Sequence, residues 1–163
     1  MPDPITPSRL WKRMTGEQRL QAARAFWNDE QAAEDQVQAV MLISQHKKFR
    51  PKTVLSLDPD RKAKHLASLP ALTDGLAARV LILYHLAEQR PMMGAFLDAL
   101  SIPHENGLIQ DDAPAPEPAR MGSAAAALAA QFPASHVSLY LNTLLSQDPQ
   151  AWGALSDLPQ RQL

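Results

Sequence analysis

The chain is predicted to be all-α: a compact multi-helix bundle of about eight or nine helices around a buried central helix. Three observations carry this. Among 163 residues there are 26 alanines against 6 glycines, a bias toward the best helix former. β-Branched and aromatic residues are sparse, and no stretch keeps a period-two alternation beyond a few residues. Helix starts and breaks recur through the whole length, as Thr15-Gly16-Glu17-Gln18, Asp58-Pro59, Arg90-Pro91 and Asp148-Pro149.

In chain order, Pro7-Ser8 opens a short helix through Leu10, Trp11 and Met14. Thr15 to Gln18 has the spacing of a capping box before a second helix, with Leu20, Ala23, Phe26 and Trp27 as its inner face. Asn28 or Asp29 caps a third helix reaching Lys48, with Ala33, Val37, Val40 and Met41 expected inward. Its start is acidic (Asp29, Glu30, Glu34, Asp35) and its end basic (His46, Lys47, Lys48), the order a helix dipole favours. Arg50-Pro51 ends it, Thr53 to Leu57 reads as a short extended connection, and Asp58-Pro59 starts a fourth helix with Ala63 and Leu66 inward.

Thr73 or Asp74 caps the central helix, in which Leu76, Val80, Leu83, Tyr84 and Ala87 form one face while Leu81, Ile82 and Leu86 carry apolar character round the cylinder. Arg79, His85 and Glu88 keep its uncharged run well short of the roughly 20 residues that cross a bilayer. Pro91 starts the next helix, with a stripe of Met92, Ala95, Phe96, Ala99 and Leu100. Asn106-Gly107 then favours a turn with positive φ, and Leu108-Ile109 form an apolar return. Gln110 to Pro118 holds three prolines and three acids and reads as an exposed tether. Beyond it lie three short helices: Ala119 to Phe132, one from Ser135, and one from Asp148-Pro149 with Trp152 and Leu155. The expected layout is a helical core over 1–109, an acidic proline-rich tether over 110–118, and helices over 119–163 that dock on the same core or exchange between chains, in a single domain overall. A faint echo of Leu83-Tyr84 and Pro91 in Leu139-Tyr140 and Pro149 lacks the sustained period of a repeat.

Composition narrows the function. With no cysteine there are no disulfides and no thiolate ligand or nucleophile, and the first residues lack a secretory layout, so the expected location is cytoplasmic. Net charge is −1, made of +4 over residues 1–65 and −5 over 66–163. The basic excess is concentrated in Lys47, Lys48, Arg50, Lys52, Arg61, Lys62 and Lys64, with Phe49 beside them for stacking, which is a candidate nucleic-acid patch. A pI near 6.5 and the lack of a helix-turn-helix or zinc-finger pattern argue against it.

The second candidate is the loop His104, Glu105 and Asn106, with Arg90, Asp98 and His85, which gathers a possible base, carboxylates and hydrogen-bond donors beside an apolar wall. The competing reading is that Asn106-Gly107 turns the chain and His104 or Glu105 caps a backbone group. His85 is read as a core histidine. The five histidines include no i, i+4 pair, HExxH, GxSxG and phosphate-loop patterns are absent, and no catalytic residue, metal or cofactor is assigned. Met92 and Met93 suit an adaptable groove but suit core filling better, and Trp11, Trp27 and Trp152 read as anchors between helices. The expected function is a non-catalytic interaction or ligand-binding module, with a protein partner or a second copy of itself and no membrane. An enzyme or small-molecule site on the His104 loop is the alternative, and nucleic-acid binding the third.

Overall fold

The computed structural model describes residues 5–162. Nine α-helices and one two-stranded hairpin are found among them, so the protein is all-α. The described chain folds as two compact units, residues 6–87, and residues 88–162 together with Ile5.

The first unit contains α1 (Pro7–Arg13), α2 (Gly16–Asn28), a 3-10 turn (Glu30–Ala32), α3 (Ala33–Lys47), α4 (Pro51–Ser56), α5 (Pro59–Ala67) and α6 (Asp74–Glu88). Local chemistry sets most of these bounds. Thr15 accepts from the Gln18 amide at 3.1 Å while the Gln18 side chain accepts from the Thr15 amide at 3.0 Å, a complete capping box for α2. Asp58 caps α5 by accepting from Arg61 N–H at 2.8 Å, with Pro59 in the first turn. Thr73 does the same for α6 through Leu76 N–H at 3.3 Å.

α2 packs most extensively on α5, and α3 on α4. The unit's interior is built on Leu10, Trp11, Phe26, Ile43, Leu66, Leu76 and Leu81, all fully buried. Each contributes about 1.5–3 kcal/mol through the apolar surface it withdraws from water. Trp11 also donates from Nε1 to the Leu69 carbonyl at 3.2 Å, fixing α1 to the segment after α5.

Three expectations for this unit are corrected. Residues 53–56 are helical and only Leu57 is extended: Arg50 takes the extended conformation that a following proline imposes, and Pro51 then initiates α4. Ala87 is exposed and Leu83 half-buried, so the inner face of α6 runs through Leu76, Ala77, Val80, Leu81 and Tyr84 instead. On α3, Ala33, Val37 and Met41 face outward. The helix has two apolar stripes, and the one carrying Ala39, Val40 and Ile43 goes into the core.

The second unit contains α7 (Arg90–Ala99), β1 (His104–Glu105), β2 (Leu108–Ile109), α8 (Pro118–Gln131), α9 (Ala134–Gln147) and two 3-10 turns (Gly153–Asp157, Pro159–Arg161). Here α8 packs on α7 and α9, and both 3-10 turns pack on α9. Phe96 of α7 meets the Tyr140 ring edge-on at 5.8 Å and Trp152 at 6.0 Å. The helix expected from Asp148-Pro149 forms only as turns and a 3-10 segment. The last 3-10 turn, Pro159–Arg161, is held by Asn142, which is fully buried: Nδ2 donates to the Arg161 carbonyl at 2.7 Å, and Oδ1 accepts from Arg161 Nη1 at 3.0 Å. Ala99, expected inward on α7, is exposed, and Met93 and Leu97 are buried in addition to Met92 and Phe96. Residues 110–117 contain no helix or strand and are mostly exposed.

Candidate functional site

The hairpin after α7 is built around His104. Asn106 (φ 49°) and Gly107 (φ 91°) supply the two positive-φ positions of a tight turn, which pairs His104 with Ile109 and Glu105 with Leu108. His104 Nδ1 accepts from Gly107 N–H at 3.0 Å, so the ring proton lies on Nε2, which donates to Asp98 Oδ1 at 2.7 Å. Arg90 Nη1 donates to the Asn106 carbonyl at 2.7 Å. The ring edge lies so close to α7 that a Cβ on Gly94 would stand 3.3 Å from His104 Cε1.

The structure therefore brings together Arg90, Asp98, His104 and the backbone of Asn106. Glu105 and Asn106 are exposed, and His85 belongs to the first unit, where its Nδ1 donates to the Leu81 carbonyl at 2.8 Å. A general base needs a ring nitrogen with an open lone pair. In His104 the acceptor nitrogen is bonded to the turn's backbone and the donor nitrogen to Asp98, so the arrangement closes the hairpin onto α7. Met92 and Met93 are buried, being 0% and 8% exposed.

The basic side chains lie at the end of α3, in α4 and in α5. Lys48, Arg50, Lys52, Arg61 and Lys64 are exposed, while Lys47 and Lys62 are half-buried. Phe49 meets the His65 ring edge-on at 5.5 Å, which brings the end of α3 beside α5. Burial, and then the nearby Lys47 charge, hold the His65 imidazole below the usual histidine range. Three of the seven cations are engaged locally: Arg61 with Asp58 at 3.6 Å, Lys64 with Asp60 at 3.1 Å, and Lys62 over the Trp27 ring at 5.1 Å. Hydrogen bonds from Lys64 and then Arg24 keep the Asp60 carboxyl below the usual range.

The outward face of α3 is a third site, which sequence reasoning did not single out. Val37 is 63% and Met41 45% exposed, one helical turn apart. With Gln38, Leu42 and Gln45, and with Thr73 and Gly75 at the start of α6, they line an open groove of about 530 Å³. No charge interrupts α3 from Gln36 to Gln45. A Cβ on Gly75 would touch nothing within 4 Å, so the α6 wall of the groove is open. The signal in the sequence was that uncharged run, which holds more apolar residues than one buried stripe of a 15-residue helix can take.

Among the described residues no helix is long and apolar enough to cross a membrane, and no three His, Asp or Glu side chains are grouped to hold a metal ion. Comparison of the chain with protein-family models, with curated proteins and with solved structures finds no match.

Proposed function

We propose that this chain is a non-catalytic interaction module of the cytoplasm that docks an amphipathic helix along the outer face of α3. The observation that carries this reading is the uncharged, exposed stripe centred on Val37 and Met41. Exposed helix faces are normally charged, and the middle of a protein interface is depleted of charge and enriched in methionine. Met41 is unbranched and polarizable and can adapt to a partner's side chains. A groove whose apolar walls lie open to solvent suits a helix laid along it better than a small molecule, which binds where most of its surface is enclosed. The His104 hairpin and the basic patch support their readings less well: both His104 ring nitrogens are bonded within the unit, and three of the seven patch cations are engaged locally.

The test is an amide-shift titration of the isotope-labelled chain with a synthetic helix about four turns long, with a leucine stripe, glutamates in its first turn and lysines in its last. Shifts confined to Val37, Gln38, Met41, Leu42, Gln45 and Gly75 are expected. No shift at millimolar peptide, or shifts centred on another face, would overturn the reading.

A further inference from the structure

Resting on that docking face, we infer that its occupant is a second copy of this chain, with the two α3 helices antiparallel across a two-fold axis at Met41. Charge and symmetry along α3 point to this occupant. α3 is acidic before the uncharged stripe and basic after it. Asp29 and Asp35 are occupied by Arg79, at 3.5 and 3.7 Å. Glu34 and Lys48 are exposed, and neither has an ion-pair partner among the described residues.

At 100° per residue, Glu34, Met41 and Gln45 fall within roughly 40° of one another, on the side of the cylinder away from the core stripe. Met41 is the midpoint between Glu34 and Lys48, and also between Val37 and Gln45. Reversing a second α3 about Met41 thus places methionine against methionine, Val37 opposite Gln45 of the second copy, and Glu34 opposite its Lys48. That is the self-complementary arrangement an isologous dimer requires, with charge pairs flanking an uncharged seam centred on methionine. A parallel pairing would set Glu34 on Glu34 and Lys48 on Lys48.

A helix of 15 residues is about 22 Å long and about 10 Å wide, so this contact covers a footprint of roughly 220 Å² on each copy, about 440 Å² over both. That places the dimer with weak, reversible associations, which form at micromolar or higher concentration.

Sedimentation velocity of the full chain, from about 5 to about 500 µM, tests this. The wild-type sedimentation coefficient is expected to rise with concentration. Met41→Glu, which sets two acids face to face, and Gly75→Leu, which fills the groove from the α6 wall, are each expected to abolish the rise. Glu34→Lys and Lys48→Glu are each expected to weaken association at least tenfold, whereas an equimolar mixture of these two variants associates as the wild type does, since every facing pair is again opposite in sign. All four positions are exposed, and far-UV circular dichroism checks each fold. A wild type that stays monomeric throughout, association unchanged by Met41→Glu, or a mixture no stronger than its components would overturn the proposal. If the chain is monomeric while the synthetic helix still shifts the α3 face, the second copy is refuted and the docking reading stands. If neither binds, both fall.

Discussion

Gly107→Ala should be the most damaging single-methyl change in the second unit. Gly107 sits at φ 91°, and a Cβ there would lie 2.9 Å from Met93 Cβ and 3.3 Å from the Arg90 carbonyl oxygen. An L-residue in the left-handed region costs about 1–2 kcal/mol. The approach to Met93 is well inside the roughly 3.5–4.0 Å optimum for carbon pairs, and relieving it against buried helix backbone costs about 1–3 kcal/mol. Reduced freedom of the unfolded chain returns about 0.4–1 kcal/mol. The net expectation is a loss of about 2–4 kcal/mol.

Urea denaturation followed by far-UV circular dichroism measures this. Trp152, in the same unit, provides a local fluorescence signal. Gly153→Ala, where an added Cβ meets nothing within 4 Å, is the control and should stay within about 0.5 kcal/mol of wild type. A loss below about 1 kcal/mol for Gly107→Ala, or one equal to the control, refutes both the turn geometry and the packing of the hairpin on α7.

Three further outcomes are expected. Lys48 holds φ 58° at the end of α3, so Lys48→Gly should raise stability by about 1 kcal/mol in dilute solution; an unchanged or lower melting temperature contradicts the left-handed cap. Because the His65 pKa is lowered in the fold, the unfolded chain binds more protons between that value and about 6.5, and stability should fall as pH drops through this window. His65→Gln should flatten that slope while leaving the acid loss below about pH 4, where Asp60 and Asp74 titrate, and a slope that persists just below about pH 6.5 assigns it to another group. Asn142→Ala removes the bonds that hold the last 3-10 turn and should cost about 2–3 kcal/mol, with faster carboxypeptidase trimming; wild-type trimming would show that the clasp does not hold the terminus.

Much of the fold was legible because it is set by local chemistry. The capping box at Thr15, the Asp58-Pro59 start, the break at Arg90-Pro91 and the Asn106-Gly107 turn each depend on neighbours within a few residues. Choices between faces were not legible. On α3, Val37 and Met41 lie only about 60–100° from Val40, so periodicity alone could not say which stripe the core would take. α4 was hidden because β-branched and leucine residues after Pro51 read as extended, whereas the proline sets a helical first turn. At the His104 loop the residue types were visible, but not that Gly107 N–H would occupy Nδ1, since hydrogen-bond direction depends on the turn's path.

The loop over residues 110–117 has a further consequence for what the chain can carry. It is exposed and interrupted by prolines, with a single local turn in which Ala113 N–H donates to the Gln110 carbonyl at 3.0 Å. Doubling the length of such a connection adds only about 0.6 kcal/mol to the entropy of closing it. Foreign sequence, from a short epitope to a whole folded domain with adjacent termini, can therefore be spliced in between Asp112 and Pro116. An insertion at this point lengthens a mostly exposed connection and leaves both hydrophobic interiors as they are.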